Sequence, residues 1–285
     1  MRERANTLAG SDDETVTVLE ISQYSFSDVG SSACTPIACS AVAALLERLR
    51  KNVNINDSSF LNEAVFAGVM DYSAMQSSGS VDHMSVEEFS NQCASMKLKI
   101  TQVGDSFQGL LTESNPFHRM IERAQEIAAT SSNHGNIGIV ITKPPETVCI
   151  TIPSLACPEE NRIYSFFDSH CRPEFGLTGS YLVTSTHMDS IILRLTSIFP
   201  ENTNISGDDF QDSYMQMLYT TYEATVFESA TVPEGEDSEL SADLVVDSAD
   251  NEINVALVEA HEALEAPDSP MMESTAVTDI TDLEG

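Results

Sequence analysis

Hydrophobic and polar positions alternate from Thr15 to Ile21 (TVTVLEI), a period that predicts a strand. A Ser/Gly-rich stretch, Gln23 to Ala33, reads as a loop. The period then becomes helical. Ile37, Ala41, Leu45 and Leu49 recur four apart in a helix opened by Thr35-Pro36 and running to about Lys51. Proline suits the first helical turn, where its missing N–H has no partner to lose. Arg48, Arg50 and Lys51 complement the negative end of the helix dipole. A second helix is predicted over Ser58 to Tyr72, with Leu61, Ala64, Val65, Gly68 and Val69 on one face. Ser85 to Glu88 is a capping box before a third. Leu98 to Val103 reads as a strand, and Ser114-Asn115-Pro116 starts a helix to about Ala129 whose Phe117, Met120, Ile121 and Ala124 face inward.

Strand-like runs follow over Asn136 to Thr142, Val148 to Ile152, Ile163 to Phe167 and Ser180 to Thr184, the first pair joined by a turn at Lys143 to Glu146. Thr186 to Asp189 reads as the cap of a helix holding Ile191, Ile192 and Leu195, and a last helix is predicted around Asp209 to Tyr222. Helices first and a mostly antiparallel sheet afterwards indicate an α+β fold.

Charge changes the picture near the end of the sequence. The 285 residues carry a net charge of −32, and the last 54 contribute 16 acids with no Lys or Arg. Such a segment buries too little apolar area to offset its ordering entropy. The expected organisation is a loose N-terminus over 1–14, a folded domain over 15–231 and a disordered acidic tail over 232–285. The charge argues against nucleic acid and anionic membrane surfaces as partners. No apolar run approaches the roughly 20 residues of a membrane span, and the polar first 15 residues predict no secretory signal. Six cysteines without a Cys-x-x-Cys read as free thiols in a cytoplasmic or nuclear protein. Nothing in the pattern implies an oligomeric state.

Two distant strings carry candidate chemistry. Cys34 lies at the start of the first helix, where the dipole and a neighbouring imidazolium lower a thiol pKa from about 8.5 to roughly 3.5–7.5. Its small neighbours Ser31, Ser32 and Ala33 leave room for a substrate backbone. The alternative is a buried structural cysteine, as read for Cys39. Asp168 and His170 close the apolar run Ile163 to Phe167. Residues two apart in a strand share a face, so a carboxylate can stand beside an imidazole and orient it. The alternative is an ordinary strand-end turn. Gln23, 11 residues before Cys34, is a candidate oxyanion donor or simply a loop glutamine.

Gln, then Cys opening a helix, then Asp-x-His on a late strand resembles the herpesvirus large-tegument-protein deubiquitinases and their cellular relatives. Phe166 to Pro173, Gly176 to Leu182, and a helix ending in Phe199-Pro200 look like the Asp-Ser-His region of that family. The order is also similar to autophagy-type and UFM1-type processing peptidases. The resemblance covers roughly Ser22 to Pro200. It implies a papain-like cysteine peptidase fold and cleavage after a C-terminal glycine of ubiquitin or a ubiquitin-like protein, with no cofactor. It further implies Cys34 as nucleophile, His170 as base, Asp168 as orienter, Gln23 as oxyanion donor, and a cleft narrow enough to pass only Gly-Gly. Cys171 directly after the histidine, and the segment from Val53 to Gln102, depart from the pattern. A papain-like fold without activity, binding a partner through its cleft, and an acidic adaptor acting through its tail are the competing readings.

Three other histidines read as structural, His118 beside an apolar helix face, His134 in a turn and His187 in a helix cap, and His83 reads as exposed. Cys157, His170 and Cys171 lack the paired spacing of a zinc site, so no metal is expected. In the tail, Ile253, Ala256, Leu257, Ala260 and Leu264 form a stripe that resembles a ubiquitin-interacting motif with alanine in place of its usual serine, and a solvated tail with transient helix is the preferred reading.

Overall fold

The computed structural model describes residues 13–26, 30–76, 84–93, 99–131, 135–200 and 219–230, all within the unit Met1–Thr231. The expected tail over 232–285, its stripe, the loose first residues, His83 and His134 lie outside the described residues.

The strands are β1 (Glu14–Val18), β2 (Ile100–Gln102), β3 (Phe107–Leu110), β4 (Ile137–Lys143), β5 (Glu146–Ile152), β6 (Tyr164–Asp168), β7 (Tyr181–Ser185) and β8 (Thr221–Ser229). They form one sheet, ordered β1-β7-β6-β5-β4-β8-β2, with β3 also paired to β8, and each pairing is antiparallel. The helices are α1 (Cys34–Arg50), α2 (Ser58–Gln76), α3 (Val86–Gln92), α4 (Pro116–Ala128) and α5 (Met188–Ile198). The α+β architecture expected from the sequence is the one observed.

Strand periodicity sorts the core into two layers. Val140, Cys149, Phe167, Leu182 and Phe227 pack on one face of the sheet against α1, with α2 and α3 behind it. Ile139, Ile141, Val148, Ile150, Phe166, Val183 and Val226 pack on the other face against α4 and α5. The four inward residues foreseen for α4 are all buried. The capping box at α3 is complete, with Ser85 Oγ accepting from the Glu88 N–H and the Glu88 carboxylate accepting from the Ser85 N–H.

Three expectations are corrected. Thr221 and Tyr222 begin β8 rather than ending a helix; only Tyr219 and Thr220 are helical, and 209–218 lie outside the described residues. Tyr222, Ala224 and Val226 alternate with Thr221, Glu223 and Thr225, the period of a strand, and the three apolar residues are buried together on one face of the sheet between β4 and β3. Gln23–Phe26 is a 3-10 turn rather than plain loop. At α5 no side chain caps the helix; Asp189 lies 3.5 Å from His118 Nε2, and His187 Nε2 faces Asp13 at 3.2 Å.

Gly68 sets how closely α2 approaches the helix that begins with Cys34. A Cβ there would stand 2.5 Å from Ile37 Cα and 2.6 Å from Ile37 N, both backbone atoms of α1. Gly68→Ala is therefore expected to lose about 1–3 kcal/mol through overpacking, despite alanine's better helix propensity. Urea unfolding followed by circular dichroism checks this, and an unchanged midpoint contradicts it.

No helix among the described residues is long and apolar enough to cross a membrane.

Candidate active site

The site assembles at the end of the sheet where β4 turns into β5 and β6 ends. The side chain of Asp168, the last residue of β6, is fully buried and is used on both oxygens. Oδ1 lies 2.6 Å from His170 Nδ1 and accepts the His170 backbone N–H at 2.9 Å. Oδ2 accepts from Arg172 Nε at 2.8 Å and from the Tyr181 hydroxyl at 3.4 Å. Burial pushes the Asp168 carboxyl up, but the hydrogen bonds and charge of His170 and the charge of Arg172 outweigh it, and the group is held below its usual value. A carboxylate on Nδ1 leaves Nε2 as the ring nitrogen open to chemistry.

Arg172 extends the network to the next strand. Its guanidinium forks onto Glu146, the first residue of β5, at 3.0 and 2.8 Å. One arginine thus joins the start of β5 to the end of β6.

Gln23 meets the same strand end. Its Oε1 accepts from Ser169 Oγ at 2.8 Å, its backbone N–H donates to the Ser169 carbonyl at 3.1 Å, and its Nε2 donates to the Ser31 carbonyl at 3.4 Å. At 1% exposure it is no ordinary loop residue. It pins the segment leading into α1 against the residue between Asp168 and His170. Tyr24 presents its ring to His170 edge-on, centroids 6.0 Å apart.

Cys34 is the first residue of α1, no side chain caps the helix, and among the described residues the N–H groups of Cys34 and Thr35 have no backbone partner a turn back. Cys34 is 4% exposed. Its Sγ donates to the Pro145 carbonyl at 3.8 Å, in the β4–β5 turn next to Glu146. Beside it Thr35 and Thr147 share a hydroxyl–hydroxyl bond of 2.9 Å, which Thr142 continues at 3.2 Å. Burial pushes the Cys34 thiol up, and the Thr147 and Thr35 hydrogen bonds pull it down by less. The thiol is thus held above its usual value, opposite to the direction read from the helix start, because desolvation exceeds what the hydrogen bonds of Thr147 and Thr35 return. Alkylation of Cys34 by iodoacetamide, followed by peptide mass spectrometry, is expected to rise with a midpoint above about 8.5; a midpoint below 7 contradicts this.

Asp168 and His170 are thus joined directly and Gln23 reaches them through Ser169, while Cys34 is placed at the same sheet end, where no hydrogen bond links it to His170 among the described residues. Arg172, Glu146, Tyr181, Thr147 and Ser169 were not foreseen. Arg172 continues the alternation Asp168-x-His170-x-Arg172 and was findable on that ground, whereas Glu146, 26 residues earlier, leaves no local trace. All six cysteines are free thiols. Among the described residues, no group of three His, Cys, Asp or Glu side chains is arranged to hold a metal.

No protein-family model and no curated protein sequence matches the chain. A search of solved structures does find matches. The ubiquitin-specific protease encoded by murine cytomegalovirus tegument protein M48, crystallised with a ubiquitin-based suicide substrate, superimposes with a TM-score of 0.51 over 89% of this chain and 97% of its own, at 11% identity. The fold is papain-like. The Pseudomonas avirulence protein AvrPphB also aligns, over 70% of this chain and 94% of its own, at 9% identity and a TM-score of 0.33.

Proposed function

We propose that the domain over 15–231 is a cysteine peptidase that cleaves after a C-terminal glycine of ubiquitin or a ubiquitin-like protein. One observation carries the reading: a buried carboxylate holds an imidazole at a strand end, beside the turn under which a helix-starting cysteine sits. The likeness to a viral ubiquitin-specific protease in fold supports it.

In this reading Cys34 Sγ attacks the glycine carbonyl carbon while His170 Nε2 takes the thiol proton. Asp168 keeps the ring in one tautomer and stabilises its charged form. The Cys34 backbone N–H and Gln23 Nε2 receive the oxyanion; Nε2 has a second proton beyond the one aimed at Ser31. The imidazolium then protonates the leaving amine, and water, deprotonated by the same ring, hydrolyses the thioester. No step calls for a cofactor.

The test uses ubiquitin, and separately other ubiquitin-like modifiers, bearing a C-terminal propargylamide. At least one such probe is expected to label the wild type and to leave Cys34→Ala unlabelled. Absence of labelling by every probe overturns the reading. The Cys34 thiol bonded to Pro145 rather than to His170 favours a second reading, a binding module of the same fold without activity, and that outcome would support it.

A further inference from the structure

Helix α2 is apolar on both sides. Its inner side, including Leu61, Val65, Gly68 and Val69, is buried against α1. Its outer side carries Met70 and, four and three residues before it, Phe66 and Ala67; Phe66 is half-buried, Ala67 is exposed, and Met70 is 52% exposed. A helix hydrophobic all round belongs inside a core, yet this one keeps a side in water. The surface continues to the site. Phe66 packs on Phe26 with ring centroids 6.1 Å apart. Phe26 ends the 3-10 turn that Gln23 begins, and Tyr24 of that turn, also 52% exposed, stands over His170.

The border of this face is acidic. Residues 20–26 and 58–76, which build it, contain three carboxylates, Glu20, Glu63 and Asp71, and no Lys or Arg. Glu63, one turn before Ala67, and Glu20, just before the 3-10 turn, are both exposed and in no ion pair among the described residues. An apolar patch with such a rim selects a partner whose own apolar patch is bordered by lysine and arginine. A second copy of this chain would oppose acid to acid.

We propose that the outer side of α2, together with Phe26 and Tyr24, is the docking surface for the folded body of the modifier whose C-terminal glycine enters the site. This rests on the proposed function and adds the location and chemistry of the partner's contact. Tail and body are then gripped by one continuous surface, so the chemistry is reserved for a protein carrying both.

Two labelling rates of the full chain, at Cys34, provide the test: one with ubiquitin-propargylamide, or whichever modifier probe labels the wild type, the other with iodoacetamide. Met70→Lys is expected to slow the protein probe about tenfold or more and to leave iodoacetamide unchanged. Met70→Leu is expected to match the wild type. Met70 is exposed, so a fold change is excluded by matching circular dichroism spectra. Equal protein-probe rates in Met70→Lys and wild type overturn the docking surface alone. A parallel loss with iodoacetamide overturns it too, since the site itself has then been disturbed. A wild type that no modifier probe labels overturns the proposed function and this surface together.

Discussion

Replacing His170 with alanine is expected to slow cleavage of a ubiquitin C-terminal fluorogenic amide by about 10²–10⁴-fold, the range a positioned general acid–base contributes. The loss belongs mainly to kcat, because the ring acts on protons in flight and not on the folded body of a substrate. His170 is also a structural partner of the buried Asp168. Removing it leaves one carboxylate oxygen with only the backbone N–H of residue 170, and a stability loss of about 1–3 kcal/mol accompanies the kinetic one. His170→Gln separates the two effects. Its amide can still donate to Asp168 and restores much of the stability, but it exchanges no proton near neutral pH and stays inactive. Activity surviving in His170→Gln would reduce the Asp-x-His string to the strand-end turn that was its alternative reading.

The reach of the sequence followed the range of the forces involved. The antiparallel strands β4 to β7, the helices α1 and α4 and the capping box at α3 were legible, because periodicity and caps are local. So was the association of Asp168 with His170, fixed by two-residue strand spacing and a turn. β8 was missed although Tyr222, Ala224 and Val226 alternate with Thr221, Glu223 and Thr225, because the helix predicted from Asp209 was carried on to Tyr222, across the start of the strand. The burial of Cys34 was not legible either: a helix start can be read from Thr-Pro, but the turn whose Pro145 carbonyl meets the thiol lies 111 residues away. Gln23 was singled out for an oxyanion, while its hydrogen bonds give it a further task, tying the approach to α1 onto Ser169.

Arg172→Met is expected to produce the largest change in stability. Arg172 is the positive charge on the Arg side of Asp168 and bonds Glu146 through both terminal nitrogens. Removing it leaves Oδ2 of a fully buried carboxylate with only the Tyr181 hydroxyl at 3.4 Å, and breaking such a buried pair costs about 3–5 kcal/mol. The pH dependence has a definite sign. The folded-state Asp168 carboxyl lies below its unfolded value of about 3.9. It therefore contributes stability that is fully present above that value and is lost as the pH falls through the folded one. Without Arg172, burial is less well opposed, the folded-state value rises, and the loss begins at higher pH. Acid unfolding of Arg172→Met, followed by far-ultraviolet circular dichroism, is expected at a higher midpoint than in the wild type. Arg172→Lys keeps a charge but not the fork onto Glu146 and is expected in between. Glu146→Gln, which leaves the Asp168 contact in place, is expected to stay near the wild type in acid. An acid midpoint that does not move in Arg172→Met would mean that His170 and Tyr181 alone keep Asp168 ionised, and the bridge between β5 and β6 would be packing rather than electrostatics.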